Sequence, residues 1–124
     1  MIDFKNGKIF KLAKADNESH IATITPLLVN DEHVIAQFSA IRDFVIFTNK
    51  RIITVNVQGL SGKKKDFTSL PYSKVQAFSI ETAGTFDLDA ELELSFSGLG
   101  SVKLDFSNAT EIYEIGKMIS EHVL

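Results

Sequence analysis

Residues 87–106 read DLDAELELSFSGLGSVKLDF and carry the clearest pattern in the chain. Apolar and polar residues alternate over 88–96 and again over 102–106, with a glycine-containing segment at 97–100 between them. Because successive side chains of a strand point to opposite faces, this alternation predicts two half-buried strands joined by a hairpin turn. Strands that are joined by so short a connection pair antiparallel.

Five further strands are predicted upstream of this hairpin. Their sequences alternate in hydropathy or are rich in β-branched and aromatic residues, which favour an extended backbone. They cover residues 33–40, 44–48, 51–57, 63–70 and 75–82. Turn segments separate them, including 58–62 with its two glycines, and Pro71 ends the fourth. The chain is therefore predicted to contain an antiparallel sheet of seven strands.

A single helix is predicted after the last strand. Asn108 and Glu111 have the spacing of a capping box, which satisfies the free backbone amides at the start of a helix. The helix then carries three isoleucines on one face, namely Ile112, Ile115 and Ile119. That face must be buried, and the open end of a curved sheet is the surface available to bury it.

The N-terminal residues are predicted to form a helical arm. The mixture of lysines and apolar residues over 5–15 fits a short amphipathic helix. Asp16 or Asn17 can cap a second helix, which Pro26 would bend or restart.

Together these elements predict a single domain over 1–124. Its fold class is mainly β, of the α+β kind: a half-open antiparallel barrel of seven strands with a helical N-terminal arm and a C-terminal capping helix. The arm covers 1–31, the barrel 32–107 and the helix 108–124.

The composition is that of one ordinary globular domain. The 124 residues are 44% hydrophobic and 23% charged, which is the usual balance. The chain has no cysteine, which excludes disulfides, cysteine-ligated zinc and thiol catalysis. A net charge of −3 argues against nucleic acid as a partner. The sequence begins with Met and has no apolar run that fits a signal peptide or a membrane span, so we expect a complete, cytoplasmic protein.

No motif of a familiar catalytic or cofactor chemistry is found in the sequence. The patterns G-x-S-x-G, G-x-x-x-x-G-K-[ST] and G-x-G-x-x-G are all missing. His20, His33 and His122 lie far apart and lack metal-ligand spacing. We therefore predict no catalytic residue, no metal and no cofactor, and we do not expect an enzyme.

Several short segments, taken in order, resemble the bacterial pleckstrin-homology-like family, a group of small proteins of unknown function. They are IRD at 41–43, FTNKRII at 47–53, QGLSGKK at 58–64, PY at 71–72, ETAG at 81–84, FDLDAEL at 86–92 and IYEI at 112–115. The resemblance extends over roughly residues 26–122. It implies the seven-stranded barrel and C-terminal helix that the alternation also predicts.

The resemblance has implications for partners as well. Similar domains form closed rings of like subunits, about five to a ring, so a homo-oligomer is expected. The unpaired strand edges of an incompletely closed barrel supply the physical motive. Phosphoinositide-binding pleckstrin domains carry a basic motif between their first two strands, whereas this chain has Ile41-Arg42-Asp43 there. A phosphoinositide ligand is therefore not expected.

Five basic residues are candidates for contact with an anionic surface: Lys50, Arg51, Lys63, Lys64 and Lys65. They form one patch if the turns that carry them lie together. A helical arm would add a basic stripe made of Lys5, Lys8, Lys11 and Lys14. The alternative is that the 63–65 run is a solvated turn that protects an edge strand, and that the arm packs on the barrel or on a neighbouring subunit.

Four carboxylates share one face of the predicted strand at 87–96: Asp87, Asp89, Glu91 and Glu93. A paired-carboxylate hydrolase could use such groups. A straight strand, however, holds them in parallel about 7 Å apart and cannot wrap them around a calcium ion. They form either an exposed face balanced by residues such as Lys103, or a contact with the basic turns of the next subunit in an oligomer.

The predicted function is a non-enzymatic binding or scaffold module that is homo-oligomeric and binds a protein or peptide partner. Addition of a strand to the edge of the sheet is the natural mode of binding. The alternative is peripheral binding to anionic membrane lipid through residues 63–65 and the N-terminal arm.

Overall fold

The structure is a computed structural model that describes residues 9–82, 84, 89–107 and 112–124, with the backbone alone for 9–11. The eight described strands are β1 (Ile9–Lys14), β2 (Val34–Ser39), β3 (Phe44–Thr48), β4 (Arg51–Gln58), β5 (Lys64–Pro71), β6 (Val75–Glu81), β7 (Ala90–Phe96) and β8 (Gly100–Phe106). The described helices are α1 (Glu18–Ile24) and α2 (Ile112–Val123), with 3-10 turns at Thr25–Leu27 and Tyr72–Lys74. The strands form one sheet in the order β5-β4-β3-β2-β1-β8-β7-β6.

Strands β2 to β8 are the seven strands predicted from the sequence. The alternation that predicted the last two is confirmed, because the apolar positions of β7 and β8 are buried: Ala90, Leu92, Leu94, Phe96, Val102, Leu104 and Phe106. β7 begins at Ala90, and residues 87 and 88 of the predicted strand lie outside the described residues. The period-two pattern therefore identified which face of the hairpin packs into the core.

The N-terminal arm contains a strand, so the amphipathic helix predicted over 5–15 is wrong for residues 9–14. β1 lies between β2 and β8, antiparallel to β2 and parallel to β8, with Leu12 opposite Phe106. Leu12 is buried at this junction. Pairing with two distant strands thus overrides the local helical spacing. The sheet has eight described strands and one parallel pair, where seven antiparallel strands were predicted; residues 5–8 lie outside the described residues.

The second predicted helix is present as α1. Asn17 is its N-cap, and the Asn17 side-chain oxygen accepts a hydrogen bond from the Ser19 amide at 2.9 Å. Pro26 lies in the 3-10 turn that follows. α1 covers the outer face of the sheet, where a small buried cluster consists of Ile24, Phe44, Ile46, Ile53 and Val55.

The larger core lies on the opposite face of the sheet and is closed by α2. As predicted, this helix buries Ile112, Ile115 and Ile119. The helix packs closely on β6 at Gly116, where a Cβ atom would lie 3.4 Å from the Ile80 side chain, at van der Waals contact. The predicted capping-box residues Asn108 and Glu111 lie outside the described residues.

Within the described part of the chain, the sheet remains open between β5 and β6, which are its two edges. The chain passes from one edge to the other through the Tyr72–Lys74 turn, against which α2 packs. Tyr72 is buried there, and its hydroxyl donates a hydrogen bond to the Thr48 carbonyl at 2.7 Å. The half-open barrel is therefore confirmed. Among the described residues, no helix combines the length and the apolar character that a membrane span requires.

Candidate functional site

The five predicted basic residues lie at opposite ends of the hairpin formed by β4 and β5. Gln58 pairs with Lys64 at one end of the hairpin, and Arg51 pairs with Pro71 at the other. The strand from Arg51 to Gln58 spans roughly 24 Å at the usual rise per residue. The structure therefore brings together Lys63, Lys64 and Lys65 and places Lys50 and Arg51 far from them.

Arg51 is engaged by a buried carboxylate. Its Nε lies 2.9 Å from Glu32 Oε2 and its Nη2 lies 2.9 Å from Glu32 Oε1, which makes a bidentate ion pair. The guanidinium also donates to the Ser69 hydroxyl at 2.9 Å and to the Leu27 carbonyl at 2.6 Å. Arg51 thus fastens the segment after α1 to β4 and β5, and the Glu32 carboxylate balances its charge.

A polar network surrounds this ion pair. Thr48 Oγ1 donates to Glu32 Oε2 at 2.7 Å, and Tyr72 donates to the Thr48 carbonyl. Burial alone would raise the pKa of Glu32, but hydrogen bonds from Arg51, the Val29 amide and Thr48 outweigh it, so this pKa lies below its ordinary value. Burial, together with the charge of Glu32, raises the pKa of Tyr72 well above its ordinary value. At neutral pH the carboxylate stays charged and the phenol stays neutral, which suits a structural role.

An open cavity of about 470 Å³ lies over this network, lined in part by Lys50, Ser73 and His122. The His122 Nδ1 atom lies 2.8 Å from the Met118 carbonyl oxygen, so this ring is tied to its own helix. His20, on α1, stacks on Phe44 with ring centroids 3.9 Å apart. Within the described ranges, no three His, Asp or Glu side chains are grouped as metal ligands would be.

The three lysines at 63–65 belong to a surface formed by two neighbouring loops. The turn between β2 and β3 lies beside the loop between β4 and β5, because the Arg42 guanidinium donates to the Gly59 carbonyl. Asp43 strengthens the contact: its Oδ1 accepts from the Val57 amide at 2.9 Å. Gly59 and Gly62 adopt φ values of 76° and 68°, which let the second loop turn back sharply.

We call this surface the loop end and define it by six exposed residues: Ile41, Arg42, Leu60, Lys63, Lys64 and Lys65. Two of the six, Ile41 and Leu60, are large aliphatic residues that are fully exposed. Sequence reasoning did not single them out. The signal was present in the sequence, since each is an aliphatic residue inside a segment of turn-forming residues, where a core role is not expected.

The predicted row of four carboxylates, Asp87, Asp89, Glu91 and Glu93, does not have one common environment in the structure. Asp87 lies outside the described residues, and Asp89 lies at an exposed position before β7. Glu93 lies directly opposite Lys103, which is the balance that the sequence suggested. Glu91 has a different environment, because its cross-strand neighbours are themselves acidic.

Glu91 is the middle member of three carboxylates that cross the sheet, with Glu81 opposite it on β6 and Asp105 opposite it on β8. Burial raises the pKa of Glu91, and so do the hydrogen bond and charge of Asp105 and the charge of Glu81, while Lys103 opposes them. The row reaches the edge of the sheet at Glu81.

The two edges of the sheet differ in charge. The exposed residues of β5 include Lys64, Lys65 and the aromatic Phe67. Those of β6 are Gln76, Ala77, Ser79 and Glu81, and this strand contains neither lysine nor proline. Lysine and proline commonly protect an edge from unwanted pairing, so β5 is disfavoured from pairing with an edge of like charge, whereas β6 carries neither residue.

Comparisons with known proteins agree with this architecture. A family model described as "Bacterial PH domain" matches residues 3–123. The chain is similar to the uncharacterized protein YjqA of Bacillus subtilis (strain 168), with 41% identity over 121 residues that cover 96% of this chain and 94% of the relative. It is also similar to the uncharacterized protein YozO of the same strain, with 34% identity over 97 residues that cover 78% of this chain and 83% of the relative.

Two crystal structures share both the fold and a substantial part of the sequence. One is a DUF1696 family protein with a pleckstrin-homology domain from Shewanella loihica, with a TM-score of 0.80, 34% identity, and coverage of 93% of this chain and 99% of that one. The other is a pleckstrin homology domain from Shewanella amazonensis, with a TM-score of 0.67, 34% identity, and coverage of 96% and 93%. With a family model that spans nearly the whole chain and relatives above 30% identity, the protein belongs to the bacterial PH domain family.

Proposed function

We propose that this protein is a non-enzymatic scaffold module of the cytoplasm that binds proteins by strand pairing at its sheet edges, first of all a second copy of itself. The observation that carries the proposal is the open eight-stranded sheet, whose two edges bear opposite charge. The engagement of the buried ionisable groups with one another supports a non-enzymatic role, since Glu32, Arg51 and Tyr72 all serve the structural network.

Strand pairing between copies would satisfy the backbone groups that both edges leave without a strand partner among the described residues. An antiparallel pairing of β5 with β6 of a second copy can set Lys65 opposite Glu81. In that register Phe67 lies opposite Ser79, and all four side chains lie on the same outer face. Opposite charges placed directly across a strand pair stabilise it by about 0.2–1 kcal/mol, and like charges destabilise it by similar amounts. The charges therefore favour β5 against β6 over either edge against itself.

Pairing of two different edges is head-to-tail, so each added copy leaves one edge free for the next. Such an assembly closes into a ring when the rotation between copies fits a whole number of subunits. The ring of about five copies that the sequence resemblance implies is one such closed form. An extended segment of another protein that offers an acidic or a basic strand would use the same edges.

The test is the solution mass of the full chain, measured by light scattering coupled to size exclusion at low and at physiological salt. We expect a multimer that weakens as salt screens the edge charges. Lys65→Glu alone and Glu81→Lys alone should each weaken it, and the double variant should restore it because the charge pair is re-formed with reversed sign. Lys117→Glu, which makes the same charge change on an exposed position of α2, is the matched control and should leave the mass unchanged.

A monomeric wild type at low salt would overturn self-assembly through these edges. A multimer that is unaffected by either single reversal would show that the copies meet through another surface.

A further inference from the structure

We propose that the loop end docks onto an anionic lipid bilayer, with Ile41 and Leu60 entering the interfacial region and the neighbouring cations contacting lipid headgroups. This surface adjoins the β5 edge, with which it shares Lys64 and Lys65, whereas Ile41, Leu60 and Lys63 lie outside both strands at which we propose pairing. The partner is a membrane surface rather than a soluble phosphate compound, because the two fully exposed aliphatic side chains can enter a lipid interface but have no role in binding free phosphate.

The first observation is the exposure of the two aliphatic side chains. Ile41 and Leu60 have relative exposures of 100% and 108%, although a single exposed apolar residue would need no explanation. These two residues occupy the tips of neighbouring loops that are joined by the hydrogen bond from Arg42 to Gly59. They therefore form one apolar projection from the same end of the barrel, a shape that suits shallow insertion among lipid headgroups.

The second observation is charge. Arg42, Lys63, Lys64 and Lys65 are all exposed around the projection, although the whole chain carries a net charge of −3. The two neighbouring carboxylates, Asp43 in the turn before β3 and Asp66 on β5, do not cancel four cations. A local positive field on an acidic protein would orient this end toward an anionic surface and hold the remainder of the molecule away from it.

The third observation is that the two loops are held in place. Asp43 binds the Val57 amide and the Asn56 side chain, which joins the base of one loop to the strand before the other. Two side chains already held in their bound arrangement lose less conformational entropy on docking than two side chains on mobile loops.

The experiment is co-sedimentation of the full chain with phosphatidylcholine vesicles that contain or lack phosphatidylglycerol, at low and physiological salt. We expect binding to the anionic vesicles that weakens with salt, and little binding to phosphatidylcholine alone. Ile41→Ser and Leu60→Ser should each weaken binding by roughly tenfold, because each removes an aliphatic side chain from the interface. Lys63→Glu should weaken it by roughly fivefold or more.

Matched controls separate docking from general changes in polarity, charge or folding. Leu124→Ser removes an equally exposed leucine at the far end of the chain, and Lys117→Glu repeats the charge reversal on α2. Both should bind like the wild type. The two loop substitutions lie at fully exposed positions, so their thermal unfolding and their solution mass should match those of the wild type.

Three results would overturn the proposal: no sedimentation with anionic vesicles at low salt, binding that Ile41→Ser and Leu60→Ser leave unchanged, or loss of binding on addition of inorganic phosphate beyond the effect of an equal ionic strength of chloride. Because the loop variants keep both proposed pairing edges, a change in vesicle binding without a change in solution mass is attributable to the loop end alone.

Discussion

Glu91 on β7 lies directly opposite Asp105 on β8, and burial together with the neighbouring Asp105 carboxylate raises the pKa of Glu91. The folded state therefore favours the protonated form of Glu91 more than the unfolded state does. At neutral pH this pair opposes folding, because like charges directly across a strand pair are destabilising.

Glu91→Gln should therefore raise the free energy of unfolding at pH 7, by about 0.5–1 kcal/mol. The raised pKa of Glu91 means that the folded state binds a proton more tightly than the unfolded state. The stabilising contribution of that proton is present at low pH and is lost as the pH rises through the folded-state pKa. The advantage of the variant should accordingly shrink as the pH falls from 7 toward the ordinary value of 4.5, as measured by urea unfolding.

Glu93→Gln is the matched control, since Glu93 lies on the same face of the same strand but opposite Lys103. It should leave stability unchanged or lower it by a few tenths of a kcal/mol. Equal effects of the two substitutions would contradict the assignment of repulsion to Glu91 alone.

Glu32→Gln should destabilise the fold by about 3 kcal/mol, because it leaves the largely buried Arg51 guanidinium without its counter-charge. The lowered pKa of Glu32 also predicts acid sensitivity. Its stabilising contribution is present above its ordinary pKa of 4.5 and is lost as the pH falls through the lower folded-state value. Thermal unfolding measured from pH 7 downward tests both statements.

Lys50→Ala is the control for Glu32→Gln, because Lys50 is the exposed residue next to Arg51 in the chain. This substitution should alter the free energy of unfolding by no more than about 0.5 kcal/mol. If Glu32→Gln had as small an effect, the ion pair between Glu32 and Arg51 would not contribute substantially to the free energy of unfolding.

Tyr72→Phe should lower the free energy of unfolding by about 1 kcal/mol, because the Thr48 carbonyl loses its buried donor while the ring keeps its packing. Tyr113→Phe removes the same hydroxyl from an exposed position on α2 and should have little effect. Equilibrium denaturation of both variants makes the comparison, and similar losses would argue against the hydrogen bond.

Gly116→Ala should be neutral or should stabilise α2 by up to about 1 kcal/mol, since alanine favours a helix and its Cβ would meet Ile80 at an ordinary contact distance. Gly116→Leu should destabilise the protein, because a longer side chain would push α2 away from β6. Circular dichroism during thermal unfolding distinguishes the two, and tolerance of leucine would show that the helix does not pack closely on β6.

The parts of the fold that could be predicted from sequence are those whose evidence is local. Alternation in 88–96 and 102–106 identifies the buried face of β7 and β8 because a period of two is a property of each strand by itself. β1 could not be predicted in the same way, since its extended form depends on pairing with β2 and β8. The bidentate partner of Arg51 was equally hidden, because Glu32 lies 19 residues earlier and reaches it through tertiary packing.

Among the surface residues too, those with local sequence evidence could be predicted and those that depend on tertiary packing could not. The lysines at 63–65 could be identified as a basic run, but their separation from Lys50 follows from the register of the β4–β5 hairpin. Ile41 and Leu60 become a pair through the contact between two loops, which no pattern within either loop indicates.

The position of β1 also has a consequence for how the protein is made. β1 is the first described strand to leave the ribosome, yet its parallel neighbour β8 is the last, and the Ser107 amide binds the Leu12 carbonyl across 95 residues. The two halves of the sheet meet through β1, so neither half can complete its core until synthesis is nearly finished. We infer that closure of the sheet around β1 is a late, slow step of folding, in keeping with its high contact order, and that a nascent chain released before β8 would expose an unpaired β1 to other chains.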